Sequence, residues 1–401
     1  MSARSVTRGA TADVVIIGGG VIGLTIARAL VRRGVRSVTL VERAGFGAEA
    51  SSAAGGILAP QVEADRNDEF FRLMCASRDL YPGFADALRE EGDVDVELDR
   101  TGTLYLAFTG QDEIELKRRL RWQTEQGLSV ELLAARDACT LEPHISERVR
   151  CALRFPNDWQ VENRMLVEAL VKANDRLGVS MLEGCELKSV RIESNQVQGV
   201  QTSKGGIATK TVVVAAGAWA SLVNSPNGSL PGIFIEPVRG QMLCFKSAPA
   251  LTRHVLYTAR GYVVPRRDER LLAGSTSDHV GFDKRVTVDG IGNIKSAAAE
   301  IIPALKHLPL FDSWAGLRPR AEDDFPVLGP ASEIGGLFYA TGHYRNGILL
   351  APITGELIAE AIVTGVPSIL LTPFLPDRFC QKPKREDRLA LADARAAEPR
   401  F

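Results

Sequence analysis

Charge of one sign is not in excess anywhere in the balance of this chain: 48 lysines and arginines stand against 49 aspartates and glutamates over 401 residues. No global field therefore draws it to nucleic acid or to anionic lipid. Cysteines at metal-ligand spacing are missing too. Cys75, Cys139, Cys151, Cys185, Cys244 and Cys380 are scattered, form no CxxC pair and have no histidine at a spacing that suits zinc, so reduced thiols and no bound metal are expected. No uninterrupted apolar run reaches the ~18 residues that a membrane span requires. The basic amino end is followed by an apolar run broken by three glycines and by no convincing cleavage site, so a cytoplasmic protein without a membrane span is expected. No internal repeat is present. What remains, at 45% hydrophobic and 24% charged, is a globular chain long enough for two cores or for one domain interrupted by another.

The clearest local signal is "DVVIIGGGVIGLTIARALVRRGVRSVTLVER". Val14–Ile17 reads as a strand, residues 21–33 have helical period, and Val38–Val41 reads as the next strand, ending at Glu42. Gly18, Gly20 and Gly23 occupy the GxGxxG positions of a dinucleotide fingerprint. Gly18 makes the tight turn, Gly20 lets the backbone reach a pyrophosphate at the positive end of the helix begun by Val21 and Ile22, and Gly23 lets helix and strand approach. Glu42 is placed to accept both hydroxyls of an adenosine ribose. This unit suits NAD and FAD alike, because both carry an ADP half. The run "RAGFGAEASSAAGGILAPQVE" after it is rich in small residues, which allow backbone to approach something large and flat. Ser51 and Ser52 could cap a helix or bond a phosphate there, or the run could be a small-residue helix packed on the sheet.

Further along, residues 68–91, 112–125, 164–177 and 295–306 are expected to be helices, and "VELDRTGTLYLAF" a strand. A meander over 186–210 turns at "SNQVQG" and "SKGG" and leads into a buried strand, Val212–Val214. Beyond Glu236 the pattern becomes long alternating strands, "VRGQMLCFK", "GYVVPRRDERLLAGST" and "SWAGLRPRAEDDFPVLGP". The expected fold is α/β, α+β overall: a Rossmann-like domain over 12–85, 150–235 and 318–368, and a discontinuous, mainly antiparallel domain over 86–149 and 236–317. A tail over 369–401 follows, charged and alanine-rich from Lys382 onward.

The stretch "LFYATGHYRNGILLAPITGELIAE" places a short strand, a loop between Gly342 and Gly347 carrying His343 and Arg345, and a helix start one after another. Together with "GGGVIGLTIARALVRRG", "ASSAAGGIL", "VVVAAGAWA", "GYVVPRRDERLLAGST" and "WAGLRPRAEDDFPVLG" it resembles, in order from about residue 12 to about residue 365, the D-amino-acid oxidase superfamily, and most nearly its glycine oxidase branch. Of these blocks "GGGVIGLTIARALVRRG" and "VVVAAGAWA" are shared by many flavoproteins; "WAGLRPRAEDDFPVLG" and the closing stretch with His343 and Arg345 are far more specific.

The resemblance implies FAD as cofactor. Its ADP half would meet the first glycine loop with Glu42 and Arg43. Its flavin would meet Gly56, Ile57, Leu58, Gly217 and the closing loop, with Leu187 along the way. Backbone amides from Asn346 through Gly347 and Ile348 to Leu349, at the start of a helix, would face the negative charge that grows at N1 and C2=O when flavin is reduced. The family's covalent flavin branch uses a cysteine near the "GLRP" position; residues 314–330 contain neither cysteine nor histidine, so non-covalent FAD is expected.

For substrate, the resemblance implies Arg318 as a planar fork for a carboxylate, Tyr262 assisting through its hydroxyl, and Arg345 beside substrate. Read as bare residues, Arg318 could pair with Glu322, Asp323 or Asp324, Tyr262 could be a strand tyrosine at a domain edge, and Arg345 could bridge the loop to the other domain. His343 reads as a packed or flavin-contacting residue rather than a base. Arg260 and Ser277 stand where some glycine oxidases have histidine and methionine, which leaves the substrate range open. The implied activity is oxidative deamination of glycine and other small amines or D-amino acids, such as sarcosine and D-alanine. Hydride passes to flavin N5, O2 reoxidises the flavin, and the products are hydrogen peroxide, a 2-oxo acid, and ammonia or methylamine. A supply of imine to thiamine thiazole synthesis and a homotetramer are implied as well. A D-amino-acid dehydrogenase passing electrons to a quinone, or a flavin-bound interaction protein without turnover, are the alternatives.

Overall fold

The computed structural model describes residues 10–226, 228–230 and 233–379; the expected tail from Lys382 onward lies outside the described residues. The fingerprint segment forms strand Val14–Ile17, helix Val21–Arg32 and strand Val38–Val41, as its periodicity predicts. The two strands lie side by side, parallel, in a six-stranded sheet with Val327–Pro330 at one edge, then Leu337–Thr341, Val212–Val214, Val14–Ile17, Val38–Val41 and Ser180–Leu182. All neighbours are parallel except the edge pair Val327–Pro330 with Leu337–Thr341.

These strands read as unbroken apolar runs because both faces are covered. Alternation sends Val14 and Ile16 into a core with helices Val21–Arg32, Glu69–Gly92, Asn163–Arg176 and Gly347–Thr364. Val15 and Ile17 go to the opposite face, into a second core with Val190, Val200 and Ile207 of the meander. Gly347–Thr364 is long and apolar enough, by length and composition, to cross a membrane, yet 67% of it is buried inside the molecule. It is a core helix: Gly355 lies so near Thr25 of the fingerprint helix that a β-carbon there would come within 2.6 Å of Thr25 Cγ2.

The eight-stranded sheet runs Asp312–Ala321, Ile235–Lys246, Arg270–Gly274, Gly261–Pro265, Val255–Thr258, Thr103–Ala107, Cys151–Phe155, Glu131–Ala134. It is antiparallel apart from the pairing of Val255–Thr258 with Thr103–Ala107. The fold is thus mixed, a parallel Rossmann-like sheet beside a mostly antiparallel one. Cys151–Phe155 belongs to the larger sheet, and Asp312–Ala321 stays paired with Ile235–Lys246 along its length, so that sheet extends past residues 150 and 317. Period-2 alternation again sets the faces. Leu243, Val263 and Ala273 pack under helix Val288–Ile301, and Met242 and Tyr262 point the other way.

Two expected elements are corrected. In the 96–108 stretch only Thr103–Ala107 is a strand, because the chain before it bends at positive φ twice, at Glu97 (φ 54°) and at Gly102 (φ 107°). The helix expected over 295–306 runs instead from Val288 to Ile301. Thr287 caps it by accepting from Gly290 N at 3.1 Å, and Pro303, which has no N–H to continue an α-helix, opens a short 3₁₀ turn. The glycines at 290 and 292 conceal its start in the sequence.

Candidate functional site

A cavity of about 360 Å³ lies between the two sheets and joins the first glycine loop to the closing loop of the chain. At the first end the glycines are obligatory. Gly18 has φ 108°, and a β-carbon on it would stand 2.4 Å from Ala215 O; one on Gly23 would stand 2.0 Å from Gly18 O. No larger residue fits either place. Ser51 caps the fingerprint helix from outside, its hydroxyl accepting from Val21 N at 3.0 Å, and it lines the cavity. Ser52 turns away and donates to Gly47 O at 2.6 Å. Both sit on a one-turn helix, Ala50–Ala53, the part of the small-residue run that packs close: a β-carbon on Gly316 would meet Ala53 Cβ at 2.6 Å.

Glu42 ends its strand with both carboxylate oxygens fixed, Oε2 accepting from Gly19 N at 2.8 Å and Oε1 from Ala44 N at 2.7 Å. Arg43 lies over the Trp219 ring, 3.9 Å from its centroid, and pairs with Glu49 at 3.1 Å. Leu187 and Gly217, the latter at φ 52° at the exit of Val212–Val214, complete this end.

At the other end, Gly56 bends at φ 68° and Ile57 lines the cavity, whereas Leu58 points into the core. Helix Gly347–Thr364 starts at the cavity wall, with Asn346, Gly347 and Ile348 lining it; Leu349 faces the core, and its carbonyl accepts from Ser77 Oγ at 2.6 Å. His343 lines the cavity but is buried. Its Nε2 meets Thr354 Oγ1 at 3.1 Å, and desolvation pushes its pKa down to about 3, which keeps the ring neutral and leaves it a very weak base. Gly342, Gly23, Ser52, Leu58 and Leu349 shape the walls without lining the cavity.

Arg318, Tyr262 and Arg345 all line this end. Arg318 donates from Nη1 to Thr276 O at 2.9 Å and from Nη2 to Ser275 Oγ at 2.8 Å. Two carboxylates offered as its alternative partners are engaged elsewhere, Asp323 with Arg378 and Asp324 with Arg320. Tyr262 donates to Met242 Sδ at 3.3 Å and stacks on Tyr257, with ring centroids 5.8 Å apart. Arg345 does bridge the loop to other elements: its Nη2 donates to Glu63 Oε1 at 3.0 Å and to the Tyr257 hydroxyl at 2.7 Å. Arg260 faces outward and pairs with Glu300, and Ser277 meets the Tyr344 hydroxyl at 3.1 Å; neither lines the cavity.

Sequence reasoning missed Glu63 and Tyr257. A signal for Tyr257 exists, since "LYTARGYVV" is a hairpin in which Tyr257 and Tyr262 are direct cross-strand partners. Glu63 carries no local signal, because only the tertiary fold brings its helix to Arg345.

The residues present fit FAD: a glycine cradle at a helix start, a fixed strand-end carboxylate, and a continuous cavity to a second helix start. A family model described as DAO, FAD dependent oxidoreductase, matches residues 13–361. The chain is 35% identical over 372 residues to the glycine oxidase of Geobacillus kaustophilus, a match covering 92% of this chain and 98% of that one. It is 38% identical over 375 residues to the Bifunctional protein ThiO/ThiG of Trichormus variabilis, covering 92% of this chain and 55% of that one. The crystal structure of glycine oxidase from Geobacillus kaustophilus matches with a TM-score of 0.88 at 34% identity, covering 94% of this chain and 100% of that one.

Proposed function

The chain belongs to the FAD dependent oxidoreductase (DAO) family, an FAD-binding protein similar to glycine oxidases, and on that premise we propose that it oxidatively deaminates glycine and other small amines, including sarcosine and D-alanine. Water and O2 are consumed, and a 2-oxo acid, ammonia or methylamine, and hydrogen peroxide are released. The observation that carries this reading is the convergence of Arg318, Tyr262 and a helix N-terminus at one end of a cavity whose other end is a dinucleotide cradle.

FAD, when bound, supplies a two-electron acceptor for the α-hydrogen and a route from there to dioxygen. The chain's own residues do the rest. Arg318 holds the substrate carboxylate with its planar fork, and its contacts to Thr276 and Ser275 fix the plane of that fork before substrate arrives. Tyr262 would turn its one O–H from Met242 Sδ to the same carboxylate, Arg345 stands beside the substrate with its charge paired to Glu63, and the first amides of Gly347–Thr364 would stabilise the negative charge of a reduced flavin. No side-chain base is assigned, in keeping with a neutral, buried His343; the amine enters unprotonated and the imine hydrolyses in water. The likeness to a protein named ThiO/ThiG supports placing the product imine in thiamine thiazole formation.

The test is a panel of small amino acids offered to FAD-loaded protein, with peroxide release, oxygen uptake and dye reduction read in parallel. Peroxide from glycine, sarcosine or D-alanine is the expected result. Dye reduction without oxygen uptake would make the enzyme a dehydrogenase, and absence of anaerobic flavin bleaching by every member would leave a flavin protein without this turnover.

A further inference from the structure

Glu63 is held in place from beneath by contacts that do not involve the cavity. It is the last residue of a one-turn helix, Pro60–Glu63, whose Gln61 and Val62 amides donate to the two carboxylate oxygens of buried Asp158, at 3.2 and 2.8 Å. The strand leading into that turn, Ile57–Leu58, is itself paired to Trp159–Gln160. From this base the Glu63 side chain reaches the cavity, where Oε1 accepts from the Tyr257 hydroxyl at 2.7 Å and from Arg345 Nη2 at 3.0 Å. Arg345 Nη2 also donates to Tyr257, closing a three-membered set.

Glu42, Glu49, Glu63 and Glu186 are the acidic residues lining the cavity among the described residues. Glu42 and Glu49 belong to the first glycine loop by their bonds to Gly19 and Arg43, and Glu186 follows Cys185, whose amide donates to Glu42 O. Glu63 alone of the four stands with the arginines at the other end. Two guanidinium groups and one carboxylate leave a single positive charge there, the complement of one substrate carboxylate carried with a neutral amine.

We propose that Glu63 sets the charge class of the substrate: by pairing with Arg345 it cancels one of the two guanidinium charges, so that the site takes amino acids with a single carboxylate and rejects those that carry a second. A second carboxylate near Arg345 meets a cation already paired, and the approach of a like charge to Glu63 opposes it. This rests on the amino-acid oxidase reading as far as turnover is concerned, but its binding arm does not.

The binding arm titrates FAD-loaded protein with two unreactive anions, acetate and malonate, by calorimetry. Wild type prefers acetate. Glu63→Gln, which keeps an acceptor for Tyr257 and loses the charge, raises malonate affinity relative to acetate about tenfold, and Glu63→Gln combined with Arg345→Met cancels that gain. The turnover arm compares kcat/KM for D-aspartate and D-alanine, whose ratio rises by about the same factor in Glu63→Gln. FAD content and thermal midpoint, unchanged in both variants, exclude misfolding; if Glu63→Gln loses FAD, Glu63→Ala and Arg345→Met alone are titrated with the same anions. An unchanged malonate-to-acetate ratio without the Glu63 charge, or a gain that survives Arg345→Met, overturns the proposal. Correct anion binding in a protein that releases no peroxide from any small amino acid overturns the oxidase reading and leaves this one supported.

Discussion

The Arg318 guanidinium occupies the space that a side chain on Gly240 would fill: a β-carbon at Gly240 would lie 2.2 Å from Nη2, 2.3 Å from Cζ and 2.4 Å from Nη1. The two residues sit on paired strands, with Gly240 opposite Gly316 and Arg318 opposite Val238. Gly240→Ala therefore places a methyl group against the end of a flexible side chain rather than against backbone. The expected outcome is a fold and FAD content like wild type, with Arg318 displaced from Ser275 and Thr276. kcat/KM for glycine should fall by roughly 10 to 10², against roughly 10² to 10³ for Arg318→Ala, which removes the bidentate contact outright. Steady-state kinetics beside the flavin-to-protein absorbance ratio check both. Wild-type kinetics in Gly240→Ala would remove Arg318 from substrate binding.

Glu42 is the corresponding residue for the cofactor. Its two carboxylate oxygens are oriented by Gly19 N and Ala44 N, so that the carboxylate is fixed before any ribose reaches it. Glu42→Ala removes charge-assisted bonds worth about 1.5 to 3 kcal/mol each, and FAD should dissociate at least about tenfold more readily in equilibrium dialysis. Wild-type protein precipitated with acid should release all its FAD into the supernatant, since no attachment residue stands in residues 314–330. Colour held in the pellet would show a covalent bond, and unchanged FAD affinity in Glu42→Ala would take that residue out of the site.

How much of this was legible in the sequence depends on how local each feature is. The fingerprint unit was readable to the residue at both of its strands, because a strand buried on two faces and a helix of period 3.6 differ within a dozen residues. The Glu97 and Gly102 kinks and the helix start at Thr287 were not, since positive φ at Glu97 is uncommon for a residue with a side chain and Gly290 and Gly292 interrupt the helical pattern that Thr287 caps. In the site, Gly18 and Gly23 were legible because close approach leaves a glycine behind. Arg318 was read through resemblance, while its supports at Gly240, Ser275 and Thr276 come from strands distant in sequence. Glu63 was invisible for the same reason in stronger form, its partner being Arg345, on a loop from the other end of the chain.

His343 gives a pH dependence with a definite sign. Burial lowers its pKa from 6.5 to about 3, so the native state resists a proton that the unfolded chain accepts. Its contribution to stability is whole above the unfolded value and is lost as pH falls from there towards the folded one, amounting to about 2 kcal/mol by about pH 5. Thermal unfolding of the FAD-loaded protein should show a midpoint that drops between about pH 7 and about pH 5, and a shallower drop in His343→Asn, which has no proton to take up. Equal slopes in the two proteins would show that His343 is not the group responsible.

Substrate size follows from the cavity wall to which Ile57 and Tyr262 both belong. Ile57 and Ala59 face the cavity, Leu58 between them does not, and Tyr262 lies against Gly55, whose β-carbon, were there one, would be 3.4 Å from Tyr262 Cε2. Little space then remains beside an α-carbon whose carboxylate is held by Arg318. Glycine and sarcosine should fit, D-alanine should be tolerated, and D-phenylalanine should be poor. An L-amino acid anchored by the same carboxylate would have to put its side chain into the wall to aim its hydrogen at the flavin. Pocket walls discriminate by only about 1 to 3 kcal/mol per methylene, so preference among the small substrates should be graded and rejection sharp only for bulky ones. Peroxide release at equal concentrations below saturation measures the order. A faster rate with D-phenylalanine than with glycine would mean that Ile57 and Tyr262 do not bound the substrate, and would separate this chain from the glycine oxidases it is similar to while leaving it in the same FAD-dependent family.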